Sequence, residues 1–143
     1  MISFRKMKLG DLDKIYKDEE IRSLITVAPK GVKFAVVIEL NEKIIGGASG
    51  YVDNNAAIAQ CIVVKDCNEK SIYKDGLIRS LIHFLELDGI EYLLVNETDP
   101  IYKGIGFQEL KGNEGFINYL GEEAKRDISA ESSQWINLKE FFN

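Results

Sequence analysis

CIVVKDCNEKSIYKDGLIRSLIHFLELDGIEYLLV, residues 61–95, decides the fold. It reads as the end of a buried strand, a polar loop, an amphipathic helix, a turn at Asp88-Gly89 and a second buried strand. In the helical part Leu77, Ile78, Leu81, Ile82, Phe84 and Leu85 fall on one side, with Arg79, His83 and Glu86 opposite. A β-loop-α-β unit of this kind sets a loop and a helix N-terminus at the carboxyl end of a strand, where anionic groups such as phosphates are held. Such loops usually carry glycines that let backbone N–H groups close on a phosphate, and NEKSIYK, residues 68–74, has none.

Upstream of this unit the pattern is antiparallel. Val32 to Leu40 is β-branched and long enough for a strand, Asn41-Glu42 makes a turn, and Lys43 to Tyr51 returns as its hairpin partner. Gly46, Gly47 and Gly50 in the returning strand mark a bulge or a close approach of another segment. Asp53-Asn54-Asn55 is a second turn, and Ala56 to Val64 completes a meander. Ile2 to Met7 is a short opening strand, followed by a helix from Gly10-Asp11 through Tyr16 and a second short helix over Ile21 to Val27, ended by Pro29 and Gly31. The run Asp11, Asp13, Asp18, Glu19 and Glu20 reads as a solvated face that would also draw in a cationic amine.

Downstream, Ile90 to Val95 is a buried strand, and Asp99-Pro100 opens a short helix closed by Gly104 and Gly106. Phe107 to Leu110 and Phe116 to Leu120 are expected to form a last hairpin around Lys111-Gly112-Asn113. Ser132 to Phe142 is expected to be a terminal helix, with Trp135, Ile136, Leu138 and Phe142 packing on the sheet or on a second copy in a homodimer.

With 143 residues, 45% hydrophobic and 29% charged, and with two prolines, the chain is expected to form one domain over residues 1–143. MISFRKMK lacks the apolar core of a signal peptide and no apolar run approaches a membrane span of about 20 residues, so a cytoplasmic location is expected. A net charge of −5 disfavours nucleic acid and anionic membranes as partners and suits a cationic or neutral small substrate. Cys61 lies in an apolar strand and Cys67 in a loop, a spacing that points to neither a disulfide nor a metal site. The single histidine, His83, faces away from the packed side of its helix, which sets aside Ser-His and Cys-His nucleophilic chemistry.

Two local patterns carry a family resemblance. PIYKGIGF, residues 100–107, resembles the P-L-Y-x-x-x-G-F segment of the GNAT acyl-CoA-dependent N-acetyltransferases, with Tyr102, Gly106 and Phe107 on its tyrosine, glycine and phenylalanine. The join from the fourth strand into the long helix resembles the family's V-x-P-x-x-R-G-x-G-x-G, with Val64 on the valine, Asp66 and Glu69 on the proline and arginine, and Lys70, Ile72 and Lys74 on the three glycines. Setting Gly76 on one of those glycines instead needs an insertion. The element order β-α-α-β-β-β-α-β-α-β-β agrees with the family over residues 1–120.

The resemblance implies an α/β (α+β) fold: a GNAT-like mixed, mostly antiparallel central sheet of six to seven strands flanked by helices. It also implies transfer of an acetyl group from the cosubstrate acetyl-CoA to a primary amine, on a small molecule or a peptide, by direct attack. Ile62, Val63 and Val64 would bond the pantetheine arm, and Lys70, Ser71, Ile72, Tyr73, Lys74 and Asp75 would form the pyrophosphate loop. Tyr102 would donate a proton to the departing thiolate. Glu97, at the end of the fifth strand, is the nearest candidate base by sequence, with Tyr51 or a water chain as substitutes and Gln60 as a substrate-orienting side chain. The glycine-free loop supports an alternative, a GNAT-fold ligand-binding or interaction module that has lost CoA binding.

Overall fold

The structure is a computed structural model that describes residues 1–26, 32–112, 115, 118, 120–129 and 131–141, with backbone alone for Val32 and Glu123. Seven strands form one sheet in the order β1-β2-β3-β4-β5-β7-β6. They are β1 Ile2–Lys6, β2 Val32–Leu40, β3 Lys43–Asp53, β4 Ala56–Val64, β5 Tyr92–Val95, β6 Gln108–Glu109 and β7 Gln134–Asn137. Neighbours are antiparallel except β4 and β5, which run parallel. The helices are α1 Asp11–Tyr16, α2 Lys70–Leu87, α3 Ile101–Ile105, α4 Glu122–Asp127 and α5 Leu138–Phe141, with a 3-10 turn at Arg22–Ile25.

The meander forms because its turns are locally encoded. Asn41 and Glu42, then Asn54 and Asn55, all take positive φ, the conformation of two-residue hairpin turns that match strand twist. Gly46 and Gly50 of β3 adjoin register shifts, as expected from the sequence. Pairing slips between Ser49 and Gly50, and a Cβ on Gly50 would collide with the backbone carbonyl of Ile58.

That slip sorts the side chains of β4. Ala57 and Ala59 point to the face covered by α2, and Ile58 to the opposite one. Ser49 pairs with Cys61 and Gly50 with Ala59, so Gln60 is the extra residue. Cys61 and Val63 then join the face opposite α2, while Ile62 and Val64 return to the α2 face. Against its amphipathic stripe Leu77, Ile78, Leu81, Ile82 and Leu85, helix α2 packs the larger of the cores. It stops at Gly89, whose φ of 80° lets the Ile90 N–H reach the Leu85 carbonyl. Gly76 faces the Phe4 ring, which a Cβ would approach to 2.5 Å, so this glycine serves close helix-to-sheet packing.

Three expectations are corrected. The partner of β6 is β7, with Gln108 opposite Trp135; residues 113, 114, 116, 117 and 119 of the expected hairpin lie outside the described residues. The expected terminal helix is instead strand β7 followed by the single turn α5. A short apolar run such as Trp135 to Leu138 fits either period, and the open edge of β5 decides between them. Leu93 and Leu94 take Ile136 and Trp135 as partners, so those residues complete the sheet within the chain. The α1 acids are likewise not all a solvated face. Asp11 is buried and accepts two bonds from the Arg5 guanidinium, at 2.7 and 2.9 Å, which hold its carboxyl down to about 2. Asp18 pairs with Lys65.

Candidate active site

Strand β4 pairs with β5 over Ala56 to Ala59 and no further, because β5 ends at Val95. On its other edge β4 stays paired with β3 to Val64. Among the described residues, the last five of β4, Gln60 to Val64, therefore present an unpaired edge to the space beyond Val95. An extended ligand with amide groups could add to such an edge as a pseudo-strand. Ile62, Val63 and Val64 lie on it.

Helix α2 begins at Lys70, with Glu69 at its N-cap position and no side-chain cap. The stretch Lys70 to Asp75 is thus the first turns of a helix rather than an open loop. The amides of Ser71 and Ile72 have no acceptor among the described residues, as a first helical turn requires. Ile72 is 70% exposed, pointing away from the core, and Tyr73 packs against it. Asp75 pairs with Arg79 one turn on. Lys70 is exposed and has no ion pair among the described residues, which leaves its charge to the helix N-terminus.

Lys74 does something else. Its ammonium is 3.1 Å from Glu97 and 2.9 Å from Asp99, and lies 5.5 Å above the Tyr102 ring. The same Glu97 oxygen accepts the Tyr102 hydroxyl. Burial works against the charged lysine, but Asp99 and Glu97 outweigh it and raise the Lys74 pKa. Asp99 is held below the usual carboxylate range by the Ile101 amide and by Lys74. Burial, then Glu97, push the Tyr102 phenol far up, so it is a neutral hydrogen-bond donor at any physiological pH. Tyr102 is fully buried and edge-on to Phe107 at 5.1 Å. The structure thus brings Tyr102, Glu97 and Lys74 together on the α2 face, and no hydrogen bond or ion pair among the described residues links them to Lys70, Ser71 or Ile72.

On the opposite face a second polar group meets at the bulge. Asp127, at the end of α4, accepts hydrogen bonds on one carboxylate oxygen from the Tyr51 hydroxyl, 2.6 Å, and the Gln60 side-chain amide, 3.0 Å. Its carbonyl accepts from Asn96, the residue after β5, at 3.4 Å. Asp127 therefore bridges β4 and the end of β5 where the two strands part. Because a carboxylate only accepts, Gln60 must present nitrogen to Asp127 and oxygen elsewhere. That oxygen is buried with no donor among the described residues, a state that costs about 1–3 kcal/mol until a donor arrives. Cys61, beside it, has its Sγ 3.2 Å from Ser23 Oγ, and burial pushes its thiol up. Asp127 and Asn96 escape a reading of the sequence, since each gains its place only through contacts more than 30 residues away.

A mostly antiparallel sheet whose one parallel pair splays beside a bulge, with a long helix starting at the gap, is the fold of the GNAT N-acetyltransferases. Three solved structures show it. A GNAT family N-acetyltransferase from Escherichia coli, crystallised with CoA, superposes with a TM-score of 0.71 at 11% identity, over 99% of this chain and 84% of that one. A GNAT family acetyltransferase from Staphylococcus aureus gives 0.68 at 13% identity, covering 96% and 99%. The ribosomal-protein-S18-alanine N-acetyltransferase of Escherichia coli gives 0.63 at 19% identity, covering 76% and 79%. The sequence matches no family model and no curated protein.

Proposed function

We propose that the protein transfers an acetyl group from acetyl-CoA to a primary amine by direct attack. The observation that carries this reading is the unpaired edge of β4 from Gln60 to Val64, open beside the first turn of α2. The pantetheine arm lies along Ile62, Val63 and Val64, and the pyrophosphate sits at the amides of Ser71 and Ile72 with Lys70 nearby. Tyr73, Lys74 and Asp75 shape that turn from below rather than touching phosphate. Edge N–H groups of β4 receive the carbonyl oxygen as it becomes an oxyanion.

The amine lone pair attacks the thioester carbon, the C–S bond breaks, and the thiolate takes a hydrogen bond from Tyr102. A phenol with so raised a pKa stabilises a thiolate as a donor and transfers its proton only late. In the donor-free protein the single Tyr102 proton is given in a hydrogen bond to Glu97, so the hydroxyl turns from Glu97 to sulfur for this step, and the amine loses its proton to water. Both cysteines are free, and among the described residues no helix is long and apolar enough to cross a membrane, which agrees with work in the cytoplasm, where acyl-CoA is available. Calorimetric titration with acetyl-CoA is the test: saturable binding is expected, and no heat at millimolar ligand sinks the reading.

One observation favours a second reading, a GNAT-fold module without CoA. Lys74, one of two loop cations, is neutralised by Glu97 and Asp99, and no glycine opens the turn. Turnover of any primary amine with acetyl-CoA would remove this reading.

A further inference from the structure

A second concavity lies at the other edge of the sheet, two strands away from the gap. Strand β1 has five residues and β2 has nine, and their pairing ends with Lys6 opposite Val36. Past that pair Met7 donates its N–H to the Ala35 carbonyl at 3.0 Å, and the chain turns away toward α1. Among the described residues the outer edge of β2 before Ala35 therefore has no strand beside it. A cavity of about 510 Å³ wraps this edge, a size that holds a small molecule. One wall is the C-terminal half of α2, with Leu81, Phe84 and Leu85. The other is Met7, Leu24 and Ile25, on the face opposite α2. No residue of the acyl-donor gap, neither Gln60 to Val64 nor Lys70 to Asp75, lines it.

The rim is cationic. Lys6, Lys8 and Lys33 line it, against one acid, Asp88. Asp88 stands 3.5 Å from Lys6, whose ammonium also lies 5.7 Å from the centre of the Phe84 ring. Lys8 and Lys33 are exposed and have no ion pair among the described residues. In a chain of net charge −5, two positive charges are thus left over at the mouth of an apolar space. Leu9, 85% exposed, extends the apolar surface to that mouth.

We propose that this cavity binds a free, single-chain alkyl carboxylate, with its chain against α2 and β2 and its head at Lys8 and Lys33. The proposal stands apart from the acyl-transfer reading, since it uses none of the same residues. An alkyl chain taken out of water by these walls is favoured in proportion to the area it buries. Lysine ammonium groups are point charges on flexible stems, so they attract an anionic head without the planar fork that arginine would offer. The same rim repels a cationic head, and a neutral alcohol gains the walls without the charge. The net negative charge of the chain works against an anionic membrane surface as the partner, which leaves a soluble ligand.

The experiment is an NMR titration of the whole protein, without acyl donor, with sodium n-octanoate at neutral pH and low salt. The controls are n-octyltrimethylammonium and n-octanol. Saturable backbone amide shifts are expected at Ala35, Val36, Leu81, Phe84 and Leu85, with Gln60 to Val64 unmoved. Hexanoate should bind about 15-fold more weakly than octanoate, at about fourfold for each methylene buried. The double variant Lys8→Ala, Lys33→Ala changes only exposed side chains. It should weaken octanoate about fivefold at low salt and less at high salt, and leave octanol unchanged. Octyltrimethylammonium binding as tightly as octanoate, an unchanged octanoate affinity in the double variant, or shifts at Gln60 to Val64 in place of the cavity residues would each overturn the proposal. So would cosedimentation with phosphatidylglycerol vesicles in a protein that octanoate does not shift, which would make the lysine rim a membrane contact.

Discussion

The two sides of the gap between β4 and β5 are both polar, but they are built differently. On the α2 side Lys74, Glu97, Asp99 and Tyr102 satisfy one another in a closed network around a fully buried phenol. On the opposite side Tyr51 and Gln60 share a single carboxylate oxygen of Asp127, and the side-chain oxygen of Gln60 has no donor among the described residues. A closed network holds the end of β5 and the start of α3 in place. An open one costs stability. Charge alone would not separate the two, because a carboxylate is central to both.

The strongest way to break the contrast is to remove the bulge that creates the open side. Gly50→Ala drives a Cβ into the Ile58 carbonyl and should cost about 3 kcal/mol, measured by urea unfolding. Next, if the phenol acts on the leaving group as proposed, Tyr102→Phe should lower kcat about 100-fold with little change in the KM for acetyl-CoA. An unchanged kcat would leave Tyr102 a packing residue. The smallest effects compare two lysines that the sequence makes look alike. Lys70→Ala should weaken acetyl-CoA about fivefold at low salt and less at high salt, whereas Lys74→Ala should leave that affinity nearly unchanged while lowering the melting temperature.

The pH dependence should also follow the closed side. Asp99 has a folded pKa below its unfolded value, so its contribution is present above the unfolded pKa and is lost as pH falls through the folded one. Lys74 has the reverse sign: its raised pKa gives a contribution present below the unfolded value and lost as pH rises through the folded one. Stability from this network is therefore flat across neutral pH and falls at both extremes. Asp99→Asn should reduce the slope on the acid side, read from unfolding curves at stepped pH.

Much of the scaffold is legible in the sequence because it is local. Asn41-Glu42 and Asn54-Asn55 encode their turns, the apolar stripe of α2 encodes its face, and PIYKGIGF marks the strand-helix-strand join with Tyr102 in it. Strand β7 is not legible, since Trp135 to Leu138 suits a helix or a strand until the edge of β5 is in view. Neither is the true engagement of Lys74: from sequence it is a loop cation, and only folding sets it against Glu97 and Asp99. Asp127 is the extreme case, a surface acid on a short helix that meets Gln60 across 67 residues of chain.

The claim that an acyl-CoA occupies the gap is tested most directly by mapping backbone amide shifts while acetyl-CoA is added. Saturable changes are predicted along Gln60 to Val64 and at Ser71 and Ile72, with the interior of β2 unmoved. Shifts that avoid both stretches, or none at millimolar acetyl-CoA, would contradict it.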